Sequence, residues 1–292
     1  MIVAHNNFYI LEKLIRLIDD ERNDIYLHID EKVKNFPVDR FAKIPAKSKI
    51  FFVPRVDVNW GGFSLVQAEL ELLRQAVQGN YDYYHLLSGV DLPIKTQDYI
   101  HDFFAANRGK EFIGFSPSFD YDRVAKIWLF MEYWKTKNPF IGFLTKVPRN
   151  LFLFSQKACG YDRTKNYQIT FKKGPNWFSI TDTLAKYVIA NENLTEKYFK
   201  YNGCSDEHFL QTMVFNSPFK NNIHDIKNID KVEDENLGCM RHIDWRRGKP
   251  YVFRSKDYDE LLQSDRLFAR KFDVDTDKEI IDKIFAAVSR AD

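Results

Sequence analysis

The chain begins with MIVAHNNFYILEKLIRLIDDERNDIYLHID (residues 1–30), the stretch that decides its class of fold. Short apolar runs at residues 2–4 and 25–29 predict β-strands, and apolar residues recur at helical spacing over residues 9–18. A strand, a helix and a second strand in this order are typical of a parallel βαβ unit. The opening of the chain therefore predicts an α/β protein.

The same alternation continues beyond residue 30. Apolar runs at residues 50–53 and 83–87 predict further strands, and residues 64–77 have helical spacing. We expect a mostly parallel, Rossmann-like sheet flanked by helices, with ligands bound beyond the carboxyl ends of its strands. The residues that follow those strand ends are His5, Asp30, the loop 58–62, Ser88 and Asp91.

Residues 121–173 break the regular pattern with mixed aromatic and basic side chains. They predict an insertion over the sheet, irregular or helical, which packs as a satellite core, lines an acceptor site or touches a membrane surface. Regular signals return with a strand at 177–181, a helix at 183–191 and a helix that begins near Ser205. Because no repeat or flexible linker interrupts the chain, we expect a single domain over residues 1–292.

Composition excludes some classes of protein. The 292 residues carry a net charge of +2, which gives no general electrostatic basis for binding nucleic acid. Cys159, Cys204 and Cys239 are far apart and suit neither a zinc site nor a disulfide framework, as expected in a reducing cytosol. With no signal-peptide pattern and no long apolar run, we expect a cytoplasmic protein.

The sequence Ser205-Asp206-Glu207-His208 precedes an apolar run and has two interpretations. Ser205 suits a helix cap, and both acids suit the first turn of that helix. Either acid could equally serve as a general base. The residues alone leave both interpretations open.

Several strings, in order along the chain, resemble the core-2/I-branching β-1,6-N-acetylglucosaminyltransferase family, which also includes the peptide O-xylosyltransferases. These strings are IVAH (2–5), LHID (27–30), LLSGVDLPIKT (86–96), GPNWFSIT (174–181), SDEH (205–208), RHIDW (241–245) and LFARKFD (267–273). The resemblance implies a GT-A type glycosyltransferase fold, inversion at the anomeric carbon and a nucleotide-sugar donor, usually UDP-N-acetylglucosamine (UDP-GlcNAc).

An inverting transfer needs one base on the acceptor side, because the acceptor hydroxyl loses its proton as it attacks. Glu207 matches the family's base position, and Asp206 is the alternative base. Since neighbouring residues on a helix point in different directions, only one of them should face the reacting hydroxyl. We therefore expect Glu207 to be the base and Asp206 to lie on the acceptor side.

The departing diphosphate also needs stabilisation. Many GT-A enzymes use a metal held by an Asp-x-Asp motif, but the matching loop 88–91 has only one carboxylate, Asp91. The family instead places two cations there, which match Arg254 and Lys271, so we expect no metal and no cofactor. Arg254 is the less secure match, and a solvated surface arginine is its alternative.

The resemblance implies further substrate contacts. It places His5, Asp30, Ser88 and Asp91 near the donor nucleotide, with backbone of the Trp60-Gly61 turn close by, and Trp177 and Trp245 at the acceptor. The alternatives are an interior histidine for His5, a strand-end cap for Asp30 and core packing for both tryptophans.

The predicted function is β-1,6 transfer of N-acetylglucosamine to a carbohydrate hydroxyl in bacterial surface glycan synthesis. The alternatives are a xylosyltransferase that uses UDP-xylose and a catalytically silent carbohydrate-binding protein. The anchor, stem and many cysteines of the animal relatives are missing, so we expect a lipid-linked glycan acceptor at the inner face of a membrane. Residues 128–154, with Trp134, Phe140 and Phe143, are the predicted membrane contact.

Overall fold

The structure is a computed structural model that describes residues 1–117, 119–229, 231 and 234–289. Its strands are β1 (Ile2–Ala4), β2 (Asp24–Ile29), β3 (Lys49–Phe52), β4 (Tyr83–His85), β5 (Leu87–Ser88), β6 (Leu92–Pro93), β7 (Phe112–Ile113), β8 (Phe178–Thr181), β9 (Arg241–Ile243) and β10 (Phe268–Arg270). Its α-helices are α1 (Phe8–Leu17), α2 (Val38–Phe41), α3 (Ser64–Ala76), α4 (Gln97–Ala106), α5 (Asp122–Ala125), α6 (Pro139–Ala158), α7 (Asp182–Ala190), α8 (Glu192–Phe199), α9 (Phe209–Phe215), α10 (Tyr258–Gln263) and α11 (Lys278–Val288).

The central sheet has the strand order β3-β2-β1-β5, and each neighbouring pair is parallel. Ile2 lies opposite Leu27 on one side and Leu87 on the other. Helices cover both faces of this sheet, so the prediction of a parallel α/β sheet of the GT-A type is confirmed.

Two smaller sheets extend the central one. β4 directly precedes β5 and pairs with β8, which also pairs with β7. β10 lies between β6 and β9, and the Phe272 N–H donates to the Val90 carbonyl at 3.0 Å. The end of β10 is thereby held beside the loop that follows β5.

Strand β2 shows how the hydrophobic cores form. Ile25, Leu27 and Ile29 contribute to one core with α1 and α11, whereas Tyr26 contributes to a second core with α3 and α7. Successive strand residues point to opposite faces, so one buried strand serves both cores.

The buried Arg241 joins the sheets through its guanidinium group. This group donates to the carbonyl oxygens of Leu86 at 3.1 Å and Phe178 at 2.8 Å. Within the string 241–245, which resembles the family, Arg241 therefore has a structural role.

One local prediction was wrong. No side-chain cap starts a helix at Ser205: its hydroxyl donates to the Phe199 carbonyl, residues Ser205–Glu207 form a 3₁₀ turn, and α9 begins only at Phe209. Residues 121–173 contain the 20-residue helix α6, which fits the helical form of the predicted insertion. In the described residues no helix combines the length and apolarity needed to cross a bilayer.

Candidate active site

Polar residues collect at the carboxyl edge of the central sheet, as predicted. His5 follows β1, Asp30 follows β2, and Asp91 lies in the turn after β5. The Asp30 N–H donates to the Ala4 carbonyl at 2.9 Å, which holds the first two of these loops together. Desolvation by the surrounding groups is the main cause of a lowered His5 pKa, although the residue still reaches solvent. Asp30 opposes this shift, whereas Arg270 and Lys271 add to it.

Asp91 forms a compact polar network. Its Oδ1 accepts from Arg270 Nη1 at 2.8 Å and from the Ser88 hydroxyl at 2.9 Å, and its Oδ2 accepts from the Ser88 N–H at 2.8 Å. Asp91 is buried, so the Arg270 ion pair stabilises its charge. Asp91 and Ser88 thus position Arg270, and their contact with a donor stays a prediction.

Arg270 was missed in the sequence analysis, although it lies beside Lys271 in the string 267–273. Its guanidinium lies over the Trp177 ring, 4.4 Å from the ring centroid. Trp177 is only 8 % exposed. This position favours the core-packing alternative for Trp177. The Trp177 ring packs against the Arg270 guanidinium, and little of the ring is left exposed for contact with an acceptor.

Lys271 and Arg254 lie on adjacent backbone segments. The Phe253 N–H donates to the Lys271 carbonyl at 3.1 Å, so the two predicted cations are brought together. Arg254 is exposed and Lys271 is half-buried. Within the described residues neither charged group has a hydrogen-bond or ion-pair partner, which leaves both able to bind an anion.

Glu207 lies at the end of the 3₁₀ turn with its carboxylate partly exposed. Its Oε2 accepts from Arg123 Nη1 at 3.0 Å and lies 3.6 Å from Lys173 Nζ. These cations come from segments more than thirty residues away, so sequence order gave no signal that they orient this carboxylate.

Asp206 lies near the same charged groups as Glu207 but differs from it in hydrogen bonding. Its Oδ1 is buried without a hydrogen-bond partner among the described residues, and the buried Glu69 is close enough to act on it electrostatically. Burial, followed by the Glu207 charge, raises the pKa of Asp206 to about 7. Burial also raises the pKa of Glu69 well above its usual range, with Asp206 as the second cause. This placement makes Asp206 a structural acid and does not favour the predicted acceptor contact.

The Trp60-Gly61 turn lies beside the segment that carries Glu207. Gly61 has a φ of +79°, and its carbonyl accepts from the Cys204 N–H at 3.2 Å. A Cβ at this glycine would lie 3.4 Å from the Trp134 ring. Trp60 itself is exposed, and Lys135 Nζ lies 3.3 Å from the centroid of its ring. Gly61 therefore permits close packing against the segment that carries Glu207. Contact of this turn with the donor stays a prediction.

Trp245 differs from Trp177 in exposure. It follows β9 and is 50 % exposed. The loop that carries it is fixed by Asp244, whose Oδ1 accepts from the N–H groups of Arg246 and Arg247 at 2.7 and 2.9 Å. Trp245 thus has an open ring face on an ordered loop, which suits the predicted stacking on a sugar.

The segment 174–177 connects the turn that carries Glu207 to the strand that ends at Arg270. At one end the Gly174 N–H donates to the Glu207 carbonyl at 2.9 Å, and at the other Trp177 lies under Arg270. This segment therefore links the turn that carries Glu207 to Arg270, the residue that precedes Lys271. Over the described ranges no group of three or more His, Cys, Asp or Glu side chains is arranged to hold a metal ion.

Comparisons with known proteins agree with the resemblance seen in the sequence. The model of the family described as "Core-2/I-Branching enzyme" matches residues 1–276. The chain is 24% identical to xylosyltransferase 2 of Rattus norvegicus over 288 residues, which cover 93% of this chain and 31% of that protein. It is 24% identical to human xylosyltransferase 1 over 289 residues, 94% of this chain and 28% of that protein. The chain thus spans about three tenths of the length of these relatives.

Proposed function

This chain belongs to the Core-2/I-Branching enzyme family, and we propose that it is an inverting glycosyltransferase that uses a UDP-sugar donor and a carbohydrate hydroxyl as acceptor. One observation carries the proposal. A partly exposed carboxylate, Glu207, is linked through the segment 174–177 to Arg270, next to which Lys271 lies beside Arg254, and within the described residues neither Lys271 nor Arg254 has a hydrogen-bond or ion-pair partner for its charged group.

The proposed reaction is a single displacement at the anomeric carbon. The acceptor oxygen forms the new bond to this carbon while its proton passes to the Glu207 carboxylate. The bond from the anomeric carbon to the diphosphate oxygen breaks, and its electron pair leaves with UDP. Arg123 and Lys173 orient the carboxylate before the attack.

In this proposal Lys271 and Arg254 compensate the negative charge that grows on the leaving diphosphate. Fixed cations interact most strongly where charge develops during the reaction, so they stabilise the transition state more than the bound donor. Arg270 contributes less free charge, because Asp91 already neutralises it. On this basis we propose that transfer requires no divalent metal.

The donor sugar is N-acetylglucosamine or xylose. The sequence resemblance favours N-acetylglucosamine, whereas the curated relatives are named xylosyltransferases, so the two are proposed with equal weight. For the acceptor we keep the proposal of a lipid-linked or polysaccharide glycan, with Trp245 as the exposed stacking surface.

The test is a hydrolysis screen of UDP-sugars with and without excess chelator. We expect turnover of UDP-GlcNAc or UDP-xylose, inhibition by free UDP, and little change in chelator. Loss of activity in chelator that magnesium or manganese restores would contradict the metal-independent mechanism. UDP binding without turnover of any sugar, even with acceptor glycans present, would instead favour the catalytically silent protein.

A further inference from the structure

Helix α6 presents its apolar side chains to solvent. Phe140, Phe143, Leu151 and Phe154 are 69, 66, 65 and 72 % exposed. Leu144 and Val147 are also exposed, and the spacing of three or four residues places all six on one side of the helix. We call these six residues the apolar face of α6.

The opposite side of α6 is polar and faces the protein. Its buried residues are Thr145, Arg149 and Gln156. The Gln156 side chain accepts from the Ile127 N–H at 2.8 Å and donates to the Ile127 carbonyl at 2.9 Å. Arg149 lies 5.6 Å from the Trp134 ring centroid. Rotating the helix to bury its apolar face would break these contacts, so the exposed orientation is the fixed one.

The charge around this face has one sign. Residues 133–161 include five basic residues and no Asp or Glu, although the chain as a whole has a net charge of only +2. Lys137 and Lys146 are exposed and have no ion-pair partner within the described part of the chain. An apolar stripe bordered by unpaired lysines is complementary to a surface of anionic lipid headgroups over acyl chains.

A second copy of the chain fits this face less well. Identical chains usually pair about a two-fold axis, so the same patch would meet itself and bring the basic segments together. Like charges that are brought together in this way oppose association. The positive charge around the apolar face of α6 therefore favours an anionic bilayer over a second copy of the chain.

We propose that the apolar face of α6 docks the protein on anionic bilayers, with the helix lying in the plane of the interface. This extends the membrane contact expected from the sequence and corrects one of its residues. Trp134 is half-buried in a stack with Trp128, with ring centroids 5.6 Å apart, and is not part of the docking surface.

The apolar face of α6 belongs to a helix that borders a groove near the segment carrying Glu207. Ile141 of α6 lines an open groove of about 1150 Å³ together with Trp60 and Trp128. A Cβ added at Gly203, four residues before Glu207, would lie 3.4 Å from the Trp128 ring. Docking through α6 would hold this groove near the lipid surface.

The experiment measures sedimentation with vesicles of phosphatidylcholine alone or mixed with phosphatidylglycerol. We expect the full chain to sediment only with the mixed vesicles, and less strongly as salt increases. Combined Phe143→Gln, Leu151→Gln and Phe154→Gln changes should weaken this binding by more than about tenfold, because they remove most of the insertable apolar area. Lys137→Gln with Lys146→Gln should weaken it about tenfold or less.

Tyr99→Gln, at an exposed aromatic on α4, is the matched control and should bind vesicles like the unchanged chain. Melting temperature and UDP-sugar hydrolysis should be unaltered in the triple variant, which separates lost docking from lost folding or lost catalysis. The proposal is overturned if the unchanged chain ignores the mixed vesicles or if the triple variant binds them equally well. A lipid-free dimer that the triple change dissociates would show instead that a second copy covers this face.

Discussion

Two pairs of adjacent, like-charged residues contribute to the proposed site, and in each pair the two members differ. Asp206 has a buried oxygen that lacks a hydrogen-bond partner in the described part of the chain, whereas Glu207 is partly exposed beside Arg123 and Lys173. Arg270 is paired with Asp91, whereas Lys271 has no partner among the described residues. In both pairs one residue is held within the protein, and its neighbour is the one that we propose acts on a substrate.

The comparison shows why residue type alone does not assign a role. In the 3₁₀ turn that carries the acid pair, adjacent side chains leave the backbone in different directions. The Asp206 Oδ1 therefore lies in the protein interior, where a charge needs a partner or a proton, whereas the Glu207 carboxylate is partly exposed. In the acid pair the buried Asp206 Oδ1 distinguishes the two residues, and in the cation pair the ion pair of Arg270 with Asp91 does so.

The largest expected effect is on the acid pair. Glu207→Gln should leave UDP binding nearly intact and lower sugar transfer by roughly 10²- to 10⁴-fold, the range for loss of a general base. Asp206→Asn should lower transfer far less, because this residue does not reach the acceptor. Transfer rates and UDP affinity, measured in parallel for both variants, check the difference. Normal transfer by Glu207→Gln together with inactive Asp206→Asn would reverse the two roles.

The cation pair should show a smaller effect. Lys271→Ala should lower donor affinity and reduce turnover by roughly 10- to 100-fold, since its charge matters most as the diphosphate departs. Arg270→Ala should instead lower the free energy of unfolding by about 3 kcal/mol, because the buried Asp91 loses its partner. Kinetics combined with urea unfolding separates the two outcomes. Equal loss of stability in both variants would contradict the distinction.

Arg254→Lys tests the second cation with charge retained. A guanidinium can contact two phosphate oxygens at once and an ammonium acts as a point charge, so turnover should fall by roughly tenfold or less. Arg108→Lys, at an exposed arginine paired with Asp82, serves as the control and should not change turnover. An unaltered rate in Arg254→Lys would favour the surface-arginine alternative.

The smallest expected effect concerns pH and Asp206. Its pKa is raised from 3.8 to about 7 in the folded protein, so between these values the folded state binds a proton that the unfolded state has lost. The stabilisation is complete below pH 3.8 and is lost as the pH rises towards 7.

Asp206→Asn removes this titration. Between pH 5.5 and 8 the stability of the unchanged chain should fall relative to this variant by about 1–2 kcal/mol, measured by urea unfolding at each pH. Asp82→Asn, at an exposed carboxylate, should show no such trend. A constant difference between Asp206→Asn and the unchanged chain would indicate that Asp206 stays ionised.

Much of the fold could be predicted because its signals are local. β1 was predicted at its observed bounds, and α1 was predicted one residue late at each end. The helix near Ser205 was placed wrongly because a capping pattern takes account only of the residues that follow the cap in the sequence. In the folded protein the Ser205 hydroxyl has a better acceptor in the Phe199 carbonyl.

The sequence by itself determined the parallel sheet, the family, and the order of His5, Asp30, Asp91, Glu207 and Lys271 along the chain, because apolar periodicity and short strings are properties of neighbouring residues. Only the tertiary structure decided that Arg123 holds Glu207, that Trp177 supports Arg270, and that α6 turns its apolar face outward. These outcomes depend on contacts between segments far apart in sequence and on which side of each element is buried. The chemical groups are encoded locally, and their roles follow from the burial and partners that folding assigns to them.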